Sequence, residues 1–113
     1  MHTPDFWTIL KITRFDEIHY RVFGCWSGGF IYGDSWRMNS GIADVIENEF
    51  YFDFVGRSGS IYRCHKNGYG VNMYGSGVLK NYLDQANEAE DTSLEILTEE
   101  QALEYIKKGN YCD

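Results

Sequence analysis

The chain has 113 residues, 17% of them aromatic, a single proline and a formal net charge of −7. That length suits one domain with a core of its own, independent of disulfides or metal. No stretch approaches the roughly 20 apolar residues of a membrane-spanning helix, and the opening MHTPDFWTIL lacks the basic and apolar regions of a signal peptide.

Aromatic residues suit a half-buried pleated surface, and FWTILKIT (Phe6–Thr13) is the first such stretch. EIHYRVFG (Glu17–Gly24) alternates, with Ile18, Tyr20 and Val22 on one face and Glu17, His19 and Arg21 on the other. Phe15 and Asp16 make a short link, so the two runs predict a hairpin. A Ser-Gly-Gly turn leads to a strand through Phe30–Tyr32, and Asp34-Ser35 signals a further turn. The strongest hairpin signal is IADVIENEFYFDFVG, with Glu47-Asn48-Glu49 as its turn. Phe50, Phe52 and Phe54 recur there at period two and are expected on one face of a strand. GRSGS turns the chain into a strand over Ser60–His65, Asn67-Gly68 is a turn pair, and YGVNMY (Tyr69–Tyr74) reads as a short edge strand.

After Gly75-Ser76-Gly77 the period changes. Val78, Leu79, Tyr82, Leu83 and Ala86 fall at helical spacing. Leu94–Leu97 reads as a last short strand, and Thr98 with Gln101 forms a capping box. Ala102, Leu103 and Ile106 make an apolar stripe, Lys107 and Lys108 suit the C-terminal dipole, and Gly109 supplies the stop. Hairpin-linked strands followed by helices predict a single α+β domain over 1–113. Its mostly antiparallel sheet is curled and β-rich over 1–75, with one or two C-terminal helices packed on it in a helical, acidic 76–113.

The charge is unevenly placed. Residues 1–83 balance eight basic against eight acidic side chains, whereas 84–113 set nine acidic ones against Lys107 and Lys108. One reading is a solvated face that keeps the protein soluble. The sharper one is a docking surface for a basic protein partner, built on Asp84, Glu88, Glu90 and Asp91. Nucleic acid is disfavoured as a partner, because a binder needs a cationic footprint.

The glycine-rich segment carries no phosphate motif. Gly70 and Gly75 have the spacing of a P-loop, but Ser76-Gly77 stand where Lys-Ser/Thr is needed, and GxGxxG fails after Gly68-Tyr69-Gly70. Cys64 and His65 are neighbours on a predicted strand, so they point to opposite faces and could not share a metal without a bulge. No metal or cofactor is expected. Cys25, Cys64 and Cys112 contain no CxxC pair and read as reduced, packed thiols. A small enzyme would draw on Cys64 or His65. The aromatic excess supports two further readings. Trp36, Phe50, Phe52, Phe54 and Tyr62 line a small-ligand cavity, or aromatic side chains cover a homodimer face.

The stretches SWRMNSGI (Ser35–Ile42) and GRSGSIYRCHKNGYGVNMYGSGVL (Gly56–Leu79) are similar to small hypothetical proteins carried on bacterial integron gene cassettes. The resemblance implies a cytoplasmic accessory protein of a mobile element, and it brings no catalytic residues. Together these features favour a non-enzymatic binding or interaction module over the ligand-binding and enzymatic alternatives.

Overall fold

A computed structural model describes residues 1–28 and 33–109. The strand expected through Phe30–Tyr32, and Cys112, lie outside the described residues. The elements in order are β1 (Phe6–Arg14), β2 (Glu17–Trp26), β3 (Ser35–Met38), β4 (Ile42–Glu47), β5 (Tyr51–Gly56), β6 (Ile61–His65), α1 (Met73–Glu88), β7 (Thr92–Ile96) and α2 (Glu99–Lys108). The fold is α+β, with every strand pair antiparallel. No helix among the described residues is long and apolar enough to cross a membrane.

The antiparallel strands form two sheets. Four strands run in the order β3-β2-β1-β7 and three in the order β4-β5-β6. The reason lies in β1 and β2, which are apolar on both faces and so need cover on both sides. Trp7, Ile9 and Val22 point into one core with Phe52, Phe54, Tyr62 and Cys64 of the three-stranded sheet and with Ala102 and Ile106 of α2. Leu10, Phe23 and Cys25 point the other way, into a second core with Leu79 of α1 and the flanking Trp36, Leu94 and Ile96. The four-stranded sheet is therefore a middle layer, with α1 on one face and the second sheet and α2 on the other.

Two crossings stitch the layers. At the N-terminus, His2 donates its N–H to Ile61 O (2.8 Å) and accepts from Arg63 N–H (2.7 Å), after which Asp5 N–H donates to Cys25 O. After β3, the buried Asn39 closes the edge of β2: its N–H donates to Val22 O (3.1 Å) and its Oδ1 accepts from Val22 N–H (2.8 Å). Gly41, at φ 133°, then turns the chain into the other sheet with a backbone conformation that a side chain would strain.

Local expectations hold where short-range chemistry decides. Phe15 and Asp16 are the two-residue loop of the first hairpin, whose last rung is Arg14 with Glu17. The capping box of Thr98 with Gln101 is complete, and Gly109 ends α2 in the left-handed region. Four expectations fail. Ser35 opens strand β3 rather than a turn, because its segment pairs with the far end of β2. Tyr69–Tyr74 is not a strand: only Tyr69 makes a single bridge, to Trp7, and Asn72 caps α1 by accepting Gly75 N–H at 2.7 Å. The helix thus starts at Met73 and runs through Gly75-Ser76-Gly77. Phe50 falls in the turn before β5 and is 66% exposed, so it does not share the buried face of Phe52 and Phe54. Leu103 is also largely in solvent, because Ala102 and Ile106, one turn apart, define the line that α2 buries.

Candidate interaction surface

The four acids singled out in the sequence lie at one end of α1 and in the turn after it. Asp84 and Glu88 are spaced by four residues on the helix, Ala89 is its C-cap, and Glu90 and Asp91 precede β7; all four acids are exposed. A helix C-terminus carries about half a negative charge from its unpaired carbonyls, and basic residues normally gather there. The last turn of α1 holds no basic residue and does hold Glu88. The two helices differ sharply in this respect. In α2, Glu99 and Glu100 occupy the first turn and Lys107 and Lys108 the last, each matching the dipole.

The tip of the β1–β2 hairpin meets this negative end. Phe15 N–H donates to the Asp91 carbonyl at 2.8 Å. Phe15 sits at φ 54°, the one non-glycine residue with positive φ among the described residues, and its side chain is 69% exposed. A two-residue hairpin loop often demands such a conformation and normally takes Asn or Gly for it. A bulky residue there costs about 1–3 kcal/mol. The ring, which carries the Arg14 guanidinium 5.9 Å from its centroid, borders a cleft of about 400 Å³ together with Asp16, Glu90 and Asp91. The surface thus joins an exposed aromatic ring to three carboxylates. The sequence marked Glu90 and Asp91 by charge density, but nothing in it joined them to Phe15, which lies far away in the chain.

A second cavity, of about 560 Å³, opens between α2 and the β4–β5 hairpin, with Phe52, Leu103 and Ile106 as its apolar lining and Glu47, Glu100, Glu104 and Lys107 around it. Lys66 pairs with Glu47 at 2.7 Å and lies over the Phe52 ring.

The five aromatics considered for a ligand cavity are dispersed. Phe52, Phe54 and Tyr62 are buried in the core between the sheets. Trp36 belongs to the α1 side, stacked on Phe23 at 5.5 Å and edge-on to Tyr82 at 5.6 Å. Phe50 stands at the turn tip. Of the five, Phe52 alone lines the larger cavity.

Cys64 and His65 diverge as strand geometry requires. The Cys64 thiol is buried, donates weakly to Tyr62 O at 3.8 Å, and is pushed well above the usual thiol range by desolvation. His65 faces solvent, with its ring edge-on to Tyr51. Burial likewise pushes the Cys25 thiol up. A thiol held in its protonated form is a poor nucleophile.

No known family model matches the chain, and neither a curated protein nor a solved structure shows significant similarity to it.

Proposed function

We propose that this protein is a non-enzymatic interaction module that holds a basic segment of a partner protein against the C-terminal end of α1. The observation that carries the reading is electrostatic: Glu88, Glu90 and Asp91 crowd the negative end of a helix that has no basic residue in its last turn. Each misplaced charge costs about 0.3–1 kcal/mol at low ionic strength, and a bound cation relieves that cost. Phe15 supplies what charge alone lacks, an exposed ring beside the carboxylates on which an Arg or Lys stem packs. The likeness to cassette-carried proteins supports a cytoplasmic accessory setting.

The test is fluorescence anisotropy with a labelled arginine-rich peptide. Affinity should fall steeply with salt, and by roughly tenfold or more in the E88Q/E90Q/D91N variant. Phe15→Ala should weaken binding further. The E99Q/E100Q/E104Q variant removes the same number of charges elsewhere and should bind as wild type does. Equal weakening by both triple variants would reduce the effect to net charge and overturn the proposal.

A further inference from the structure

Two arginines, Arg21 and Arg57, come near His19 at the opposite edge of the β1–β2 hairpin, with Glu17 beside them. β3 pairs with β2 only from Phe23 to Trp26, and Asn39 serves the Val22 backbone, so among the described residues no strand lies beside the edge of β2 from Glu17 to Tyr20. By the two-residue period of a strand, Ile18 and Tyr20 turn their backbone N–H and C=O groups to the same edge as Val22. There Glu17, Ile18, His19 and Arg57 enclose a cavity of about 350 Å³.

Arg57 arrives from the other sheet and is held in place. The turn after β5 is fixed by Arg57 N–H donating to Gly41 O (3.0 Å), Gly56 N–H to Ser60 O (2.8 Å) and Ser58 N–H to Ser40 Oγ (3.0 Å). The Arg57 side chain crosses Gly41 so closely that a Cβ there would stand 3.1 Å from its Nε. His19 is oriented too. Arg21 donates its Nε–H to His19 Nε2 at 3.3 Å, which leaves the ring proton on Nδ1 as a donor. Neither Arg21 nor Arg57 has a carboxylate within ion-pair distance among the described residues, where the ion pairs are Arg63–Asp53 and Lys66–Glu47.

We infer that this cavity binds a small phosphate monoester, with Arg57 and His19 facing its oxygens and Arg21 holding the imidazole. Arg57 lines the cavity and Arg21 stands behind the imidazole to which it donates, so the cavity meets cationic charge that an anion can pair with. Burial, then Arg21 and Arg57, keep His19 below the ordinary histidine range, against a smaller opposing pull from Glu17. The volume lies near the lower bound for small-molecule sites, roughly 300 Å³, and suits a ligand of a few carbons. Ile18 is its one apolar lining residue, with its side chain on the face of β2 opposite to Glu17 and His19, and the Glu17 carboxylate accepts from a hydroxyl or ammonium group on the ligand.

The test is an NMR titration of the full chain with glycerol 3-phosphate and, separately, with inorganic phosphate, using sodium chloride as the ionic-strength control. Both phosphates should give saturable shifts at residues 17–21 and at Arg57, and should raise the pH at which the His19 ring takes its proton. Arg57→Gln should weaken both by roughly tenfold or more. Glu17→Gln should tighten inorganic phosphate, a gain that damage to the fold cannot mimic. Shifts that fail to saturate, that chloride reproduces, or that persist unchanged in Arg57→Gln would overturn the assignment.

Discussion

The Tyr69 hydroxyl occupies a rung of the β1–β7 ladder beside Leu97. Leu97 N–H donates directly to Ile9 O (3.0 Å), but the return bond is split: Ile9 N–H donates to the Tyr69 oxygen (3.1 Å), and the hydroxyl donates to Leu97 O (2.6 Å). The same ring packs edge-on against Trp7 at 4.8 Å. One side chain thereby ties β1, β7 and the segment that enters α1.

Tyr69→Phe removes the bridge and leaves a buried N–H and C=O unpaired, so stability should fall by about 1–3 kcal/mol in urea denaturation. The same contact sets a pH dependence. Burial raises the phenol from 10.0 to about 12 in the folded chain. The unfolded state then loses its proton first, so this contribution is complete below pH 10 and is lost as pH rises through 12. Urea midpoints of wild type and Tyr69→Phe should converge over that window.

The two helices should answer charge removal with opposite signs. E88Q/E90Q/D91N relieves the negative end of α1 and should leave stability unchanged or raise it, by up to about 0.3–1 kcal/mol per charge. E99Q/E100Q takes acids away from the favourable end of α2 and should lower stability. Thermal melts at low ionic strength read both. A clear loss in the first variant would show that the α1 acids are structural rather than held for a partner.

Gly75 lies in the first turn of α1 with a buried backbone, and a Cβ there would stand 3.0 Å from Cys25 Sγ. Gly75→Val should destabilise by about 1–3 kcal/mol through overpacking. In a Cys25→Ala background the loss should shrink, giving a coupling of about 0.5–2 kcal/mol in a double-mutant cycle. Additive losses would mean that the helix does not rest on β2 at this point.

Neighbouring leucine and isoleucine on α2 should behave differently. Ile106 is 9% exposed and Leu103 46% exposed. Ile106→Ala should cost about 2–4 kcal/mol, and Leu103→Ala less than about 0.5 kcal/mol, by the same urea measurement.

Thiol labelling probes both cores, Cys64 between the sheets and Cys25 beneath α1. In a Cys112→Ser background, Cys25 and Cys64 should react with a thiol probe only as fast as the chain opens, because both are buried and protonated at neutral pH. Rapid labelling of Cys64 in the folded state would restore the enzymatic alternative.

What the sequence determined by itself is the chemistry that acts over a few residues. Alternation over Glu17–Gly24 defined β2, Phe15-Asp16 could only be a loop between two such runs, and Thr98 with Gln101 set the start of α2. Period two also told which side chains share a face, and it placed Phe52 and Phe54 together correctly. It could not tell what covers a face. The division into two sheets follows from β1 being apolar on both sides, a demand met only by segments far along the chain. The failures have the same source. Phe50 is a strand residue by pattern, yet the register of β4 on β5 leaves it in the turn, and Leu103 looks like core until Ala102 and Ile106 fix the rotation of α2. Both candidate sites are also products of tertiary folding. Phe15 meets Asp91, and His19 meets Arg57, across separations that no local rule spans, because a side chain's partners are chosen by how the layers pack and not by its neighbours in sequence.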